Sequence, residues 1–428
     1  MPKKGCIMKR NRFWLTGLSA AAILTMGGCN EKQNELHEST VSCPKNTQLI
    51  SDDFEGKPVC QLRGTYVDTV HLTSDKFWAL KGEVHIGIDS KEAAALEIDP
   101  GTTVFGKTGA DFLIVTRGSK IIAEGTSSQP IIFTSMKDAA GLLSTAGDWG
   151  GIAIAGYAPT NAGKEERFEF SDTDVRFGGD NEEDNSGILK YVQIRYAGNE
   201  VRPGEELNGL SLGGVGRKTT IDYVEVYNGK DDGIEAWGGN VNMKHLVLIG
   251  NGYDNLDFDH GYRGNIQYVY IKQTEVESIH ARGIETDNNK RAQNAEPRTL
   301  ATVANFEIDG TKKTSEAVFS RVGSGLTLYN GVIRNVGGVG IVVKSKGQER
   351  FETNRFEGVY LSNCARGDVE DDAAGIKDLP TFNRTFHSTV GTKGNYIAQI
   401  EDDFFERSDF IGAYRENSDW RQGWSVLN

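Results

Sequence analysis

A chain of 428 residues with 38% hydrophobic and 25% charged side chains can bury a large core, and 52 glycines against 9 prolines suit many tight turns rather than a Pro-rich disordered chain. Asp and Glu outnumber Lys and Arg 60 to 47, and the excess grows beyond residue 28, because Lys3, Lys4, Lys9, Arg10 and Arg12 all precede it and no acid does. Such an acidic body excludes nucleic acid and anionic lipid surfaces as partners, since both would repel it.

The first segment has a basic start, an apolar run from Phe13 to Met26 and the small pair Gly27-Gly28 before Cys29, which is the order of an export signal. It is too short and too one-sided to span a bilayer. Leu24-Thr25-Met26-Gly27-Gly28-Cys29 resembles the lipobox of bacterial lipoproteins, with Met26 where that pattern usually has Leu. The resemblance implies a signal peptide over residues 1–28 and a palmitate-type lipid anchor on Cys29. Such an anchor is the chain's membrane partner and holds it without crossing. Asn30, in place of the aspartate of inner-membrane retention, implies the outer membrane, on its periplasmic or its surface side. Residues 29–42 carry almost no apolar side chains and are expected to be a flexible tether. Cys43 and Cys60 flank Asp52-Asp53-Phe54-Glu55-Gly56, and an oxidising compartment would let them form a disulfide. Cys364 lies in a strand-like run and is expected to be a buried apolar filler.

From Leu80 onward the chain alternates with period two, broken at glycine and Pro-Gly turns: Leu96-Glu97-Ile98-Asp99-Pro100-Gly101, Ile114-Val115, Ile121-Ile122-Ala123-Glu124-Gly125 and Ile131-Ile132-Phe133. This is the signature of short strands and corners. The style persists through Tyr191-Val192-Gln193-Ile194, Tyr223-Val224-Glu225-Val226, His245-Leu246-Val247-Leu248 and Gln267-Tyr268-Val269-Tyr270, the last three starting 22 residues apart. Asp232-Gly233-Ile234-Glu235-Ala236-Trp237 likewise returns 22 residues later as Asp254-Asn255-Leu256-Asp257-Phe258-Asp259. A period of this length without helical patterning gives one turn of a β-coil. The predicted fold is therefore all-β, a right-handed parallel β-helix over residues 43–400, with a C-terminal cap over 401–428. Trp420 and Trp424 are expected to cover the last open turn, whose edge would otherwise recruit strands. The longest inserted loops are expected at Asn161–Ser186 and Thr286–Thr299.

These features together resemble a family of bacterial exported right-handed parallel β-helix proteins with the pectin-lyase-like fold. The resemblance rests on Leu96–Thr102, Gly147-Asp148-Trp149-Gly150-Gly151-Ile152, Asn208-Gly209-Leu210, Asp231–Glu235, Gly283-Ile284-Glu285-Thr286-Asp287-Asn288, and the ending Phe410–Tyr414 with Trp420 and Trp424. It covers nearly all of the mature chain and implies the fold, without supplying an activity.

On a strand alternate residues point to opposite sides. Ile234/Ala236, Leu256/Phe258 and Ile284/Thr286 make the natural inward set, which turns Glu235/Trp237, Asp257/Asp259 and Glu285/Asp287 outward. Successive turns stack at roughly 4.8 Å, so these acids form two columns on one face, with Ser211 one turn before Glu235. Like charges opposite one another destabilise a sheet and raise one another's pKa unless compensated. The compensation can come from His260, Arg263, His280 or Arg282, or from a bound cation; oxygen ligands without zinc-type Cys/His spacing suit Ca²⁺.

Three readings stay open. The acids merely decorate a solvated face; or Asp231, Asp232, Glu235, Trp237, Asp254, Asp257, Asp259, Glu285 and Asp287 form a ligand or metal face, with the Trp237 indole as a sugar platform; or the face is catalytic. In the last case Glu235 and Asp257 would act as paired carboxylates on a glycan, stacked turns giving the separations glycosidases use. Asp231-Asp232 and Asp259-His260-Gly261 resemble motifs of polygalacturonase-like enzymes, although Asp259 stands where the first glycine belongs and no Arg-Ile-Lys follows. A lyase would use Ca²⁺ to acidify a uronate and Arg263 or Arg282 as base. The preferred reading is a lipid-anchored outer-membrane protein whose acidic face binds a cation or a carbohydrate, possible partners being a surface glycan or an outer-membrane transporter. The Asp180–Asn185 run is a second acidic cluster, expected as a solvated loop, with a cation-stiffened loop as the alternative.

Overall fold

The structure is a computed structural model that describes residues 42–168, 170–171, 175–274, 281–344, 354–371 and 396–427. The signal segment, Cys29 and nearly all of the tether lie outside these residues, as does His280. The chain starts with an antiparallel hairpin of Gln48–Phe54 and Lys57–Tyr66, stapled by a Cys43–Cys60 disulfide with Cα atoms 5.7 Å apart. From there the main-sheet ladders are parallel, and one 26-stranded sheet winds through the molecule. This is the right-handed parallel β-helix that the period predicts. Among the described residues the helical content is one turn, Met136–Ala139.

One face stacks Phe112–Val115, Gly151–Ala155, Leu210–Gly213, Ile234–Trp237, Leu256–Asp259, Ile284–Thr286, Glu316–Ser320 and Val339–Val343 in successive turns. Its inward residues Ile234, Ala236, Leu256, Phe258 and Ile284 join one continuous core that runs the length of the coil. Burying each large aliphatic side chain contributes about 1.5–3 kcal/mol, so the alternation is enforced at every turn.

The remaining faces come from long strands bent in the middle: Gly187–Arg195, Thr220–Tyr227, Met243–Ile249, Asn265–Lys272 and Leu300–Asp309. The bend falls at Tyr191, Tyr223, His245, Tyr268 and Asn305, all with φ between 50° and 63°. Left-handed backbone is costly for non-glycine residues. Here the bend stacks successive rings at centroid distances of 4.3, 4.1 and 5.0 Å, and aromatic stacking offsets part of that cost. The register places His245 level with Tyr268, between the pairs Lys244–Gln267 and Leu246–Val269. The turn is therefore one residue longer than the 22-residue spacing to Gln267 predicts, and the extra residue is absorbed in the corner between Asp259 and Asn265.

The C-terminal segment departs from expectation. Trp420 and Trp424 do not close the last turn. Residues 396–427 instead run back along the flank of the coil. Ile411 packs with Val332 and Tyr360, Phe405 with Ala304 and Tyr329, and Trp420 and Trp424 against the Tyr191–Tyr223–His245 stack. The outward residues Val247, Tyr270, Ala304, Val332 and Tyr360 leave apolar patches on that flank, and this strap removes them from water. Coil side chains hold its backbone: Asn330 exchanges hydrogen bonds with Ala398, Gln267 with Glu406, and Asn305 donates to the Phe410 carbonyl. Cys364 is partly buried against the core, in line with a filler role.

Candidate functional site

The vertical register brings the predicted acids together. Ser211, Glu235, Asp257 and Glu285 stand in one column, and Gly213, Trp237 and Asp259 in the next. A third column lies in the turn before the strands. There the Asn208 side-chain oxygen accepts the Asp232 N–H, Asp232 accepts the Asp254 N–H at 2.8 Å, and Asp254 accepts the Arg282 N–H at 2.8 Å. One carboxylate oxygen of Asp232 and of Asp254 thus serves the scaffold, as the amide of Asn208 does one turn earlier. The strand of Glu235 is entered through Gly233, where a Cβ would lie 2.6 Å from the Asn255 carbonyl oxygen, so adjacent turns come close here.

The columns point out of the coil, as the alternation requires, yet they are not solvated. Asp257 is only 8% exposed and Asp259 5%, and Asp232, Asp254, Glu285 and Asp287 are also buried. The two insertions meet beside this face. Asn161 donates to the Asn288 side-chain oxygen at 2.8 Å and to the Pro297 carbonyl, and Asn289 donates back to Asn161. Trp237 is likewise closed off, at 9% exposure, by Phe168 and Phe177 at 5.7 and 6.3 Å. It is packing for the first insertion and not an open sugar platform, because an indole over an apolar sheet face recruits other rings as readily as a ligand.

Seven carboxylates, those of Asp232, Glu235, Asp254, Asp257, Asp259, Glu285 and Asp287, share the cleft with Arg282, Lys290 and Arg321. The Arg282 guanidinium reaches Glu285 at 2.5 Å and Asp254 and Glu316 at 3.5 Å. Arg321 reaches Glu285 at 2.5 Å and Asp287 at 2.9 Å. Lys290 stands 3.3 Å from Asp287 and 3.8 Å from Asp259. Asp232, Glu235 and Asp257 each offer a carboxylate oxygen within 4.8 Å of the others, and Asp257 Oδ1 is buried without a hydrogen-bond partner, although Lys290 acts on the same carboxylate. Asn208 Nδ2 donates to Glu235 at 2.7 Å and orients it.

The electrostatics follow. Burial, then the neighbouring carboxylates, raise the pKa of Asp232, Asp254 and Asp257 well above the usual range, and burial with Asp287 pushes Asp259 up to about 7. His260 is pushed down to about 4 by burial and by Lys290 and Arg291, so its imidazole is neutral, and its Nδ1 is buried without a partner. Arg263 is exposed and contributes its backbone N–H to the Gly239 carbonyl, so the fold does not bring its side chain into the carboxylate network. Arg282 is inside that network, held by carboxylates. Asp231 flanks Asp232 at the half-buried edge.

Asn208, Lys290 and Arg321 are site residues that sequence reasoning missed. Lys290 follows Asp287 by three residues inside the expected insertion, which was the available signal. Arg321 follows Phe319, which pairs with Glu285 one turn on, and only the register shows the proximity. Beside Arg282 a recess of about 310 Å³ is lined by Lys312, Lys313, Glu316, Gly338 and Arg366. The second acidic run is neutralised by protein groups: Asp180 pairs with Lys164, Glu182 and Glu183 with Arg217, and Asp184 accepts the Tyr157 and Gly216 N–H groups.

Among the described residues no helix is long and apolar enough to cross a membrane. Neither a curated protein nor a solved structure matches the chain. The family model described as pectate-lyase like beta helix domain matches residues 64–425, which takes in the coil, the acidic cleft and most of the strap. With the stacked parallel turns, this match places the chain in the pectate-lyase-like β-helix family.

Proposed function

We propose that this protein is a lipid-anchored β-helix of the outer membrane that binds a divalent cation, Ca²⁺, in its acidic cleft and engages a carbohydrate beside it. Two observations carry this: Asp232, Glu235 and Asp257 each offer a carboxylate oxygen within 4.8 Å of the others, and Asp257 Oδ1 is buried without a hydrogen-bond partner. An unpaired buried charge is expensive. A hard cation with oxygen ligands at about 2.3–2.6 Å relieves it, and two ligands on opposite sides of such an ion stand about 5 Å apart. Lys290 acts on the Asp257 carboxylate without serving its Oδ1, which leaves that oxygen open to a cation. The recess beside Arg282, with Lys312, Lys313 and Arg366, offers polar groups to a glycan. The fold family is carbohydrate-related, which supports the sugar and leaves catalysis to experiment.

Titration calorimetry with Ca²⁺ tests the proposal. The native chain is expected to bind about one ion at these carboxylates, and Asp257→Asn to weaken binding at least about tenfold, the loss of one charged ligand. Absence of any Ca²⁺ heat or thermal shift in the native chain would remove the cation from the proposal. A glycan panel run with Ca²⁺ then separates a binder, which retains glycans unchanged, from a lyase or hydrolase built on Glu235 and Asp257, which releases products.

A further inference from the structure

Between the short helix Met136–Ala139 and the strand Gly151–Ala155, two large apolar side chains stand in water. Leu142 is 64% exposed and Leu143 90%, whereas no other large hydrophobic side chain among the described residues exceeds 47%. Their exposure does not come from slack in the loop. The Leu142 N–H donates to the Lys137 carbonyl at 2.8 Å, Ser144 and Ser135 share a hydrogen bond at 2.9 Å, and the Thr145 N–H and hydroxyl both donate to Asp148. Gly141, at φ 64°, supplies the left-handed residue that ends the helix. The leucines are thus presented on a braced turn, so burying them against an apolar medium orders little further chain.

The tip is also uncharged. Ala139-Ala140-Gly141-Leu142-Leu143-Ser144-Thr145-Ala146-Gly147 contains no ionisable side chain. The flanking charges are paired, Lys137 with Asp148 at 2.6 Å and Asp138 with Arg195 at 3.3 Å. The base of the tip belongs to the N-terminal end of the coil, because Met136 and Ala139 pack on the same apolar cluster as Ile50 and Phe54 of the first hairpin strand. Leu143 lies four residues beyond Ala139, at most roughly 14 Å of chain. From Cys29 to Cys43, where the disulfide fixes the hairpin, 14 residue steps span at most roughly 50 Å. A lipid on Cys29 therefore keeps a membrane within reach of the tip. Two side chains cannot supply the roughly 1,000 Å² that a specific protein interface buries, whereas a lipid interface accepts a protruding apolar pair without a fitted pocket.

We propose that Leu142 and Leu143 form a membrane-contact tip that enters the headgroup boundary of the bilayer holding Cys29, and so fixes how the coil is turned relative to that bilayer. The proposal rests on the lipid-anchor reading above. Its partner is a lipid surface with zwitterionic headgroups, since the body as a whole is acidic and anionic lipid would repel it. Two leucines hold weakly by themselves, and the lipid on Cys29 makes their contact an intramolecular event at raised effective concentration.

The test uses the full lipidated chain on phosphatidylcholine vesicles. A nitroxide label is placed on Leu143→Cys or, separately, on Glu416→Cys of the strap, each with Cys364→Ser so that the other free thiol takes no label. Its accessibility to a water-soluble nickel chelate is compared with that of the same label on a Cys29→Ala chain in buffer. At residue 143 the accessibility is expected to fall at least about threefold on vesicles, as for a group drawn into the interface. At residue 416 it is expected to stay unchanged, and adding Leu142→Ser to the residue 143 label to return it toward the buffer value. Unchanged accessibility at residue 143, on chains that float with the vesicles, overturns the tip and spares the anchor. Chains that do not float remove both. An equal fall at residue 416 assigns the contact to the coil at large and overturns the tip. Shielding of residue 143 that needs added outer-membrane proteins, and is absent on lipid alone, overturns the lipid partner in favour of a protein.

Discussion

At the scale of single residues, the site depends on carboxylates placed where water cannot solvate them. Asp259 illustrates the consequence for pH. Its folded pKa, about 7, lies above the ordinary aspartate value, so the fold prefers its neutral form. The associated stability is full below the ordinary carboxylate range and is lost as pH rises through about 7; Asp232, Asp254 and Asp257 shift in the same direction. A bound cation reverses the sign, because it needs the charged forms and expels their protons. Without Ca²⁺ the thermal midpoint is therefore expected to fall between pH 4.5 and 7.5, and with saturating Ca²⁺ to rise over the same range. Scanning calorimetry at both pH values decides it, and parallel trends with and without the ion would count against a cation in the cleft. The identity of these residues, and their outward direction, were legible from alternation alone. Their burial was not, because it comes from insertions whose conformation no periodicity encodes.

Among the elements, the strap carries the clearest consequence. Glu225 is fully buried beneath it, and burial pushes its pKa to about 8 against the lowering effect of the Val426 N–H, which it accepts at 3.0 Å. The neutral form is again favoured, so strap docking should loosen as pH climbs from the carboxylate range through about 8. Gln193, paired with Glu225 one turn earlier, donates to the Trp424 carbonyl, which shows that an uncharged amide suits this column. Glu225→Gln is expected to leave the strap docked at all pH values. Hydrogen exchange over residues 420–427, corrected for intrinsic rate, should accelerate by up to about tenfold per pH unit between pH 6 and 8 in the native chain and stay flat in Glu225→Gln, since about 1.4 kcal/mol of opening energy is tenfold in exchange. Equal acceleration in both would exclude Glu225 as the cause. Sequence reasoning recognised the terminal tryptophans as a covering element and misplaced them. The apolar patches under the strap are assembled from Val247 with Tyr270, Ala304 with Tyr329 and Val332 with Tyr360, residues far apart in the chain that the register sets side by side.

For the whole molecule, a stiff coil carrying its cleft on one side suits display from a membrane, and the proposed anchor is Cys29. Growth with a fatty-acid probe is expected to label the native chain, and Cys29→Ala to lose the label and leave the membrane fraction. A native chain without label would remove the anchor from the proposal. Solenoid stability is close to a sum over neighbouring turns, so the interior of the coil tolerates large insertions at its corners. That tolerance gave this chain room to build walls around the acids without disturbing the core beneath.

The sequence by itself determined the parallel β-helix, the Cys43–Cys60 staple and the column of Glu235, Asp257 and Glu285. The coil and the column follow from period-two alternation, a repeat near 22 residues and the hydrophobic force that turns Ile234, Leu256 and Ile284 inward, and the staple follows from an export signal ahead of two nearby cysteines. Tertiary structure alone decided which cations meet which acids. That depends on where Arg282, Lys290 and Arg321 arrive from other turns and loops, and charge pairing is a function of distance in space, for which separation along the chain carries no information.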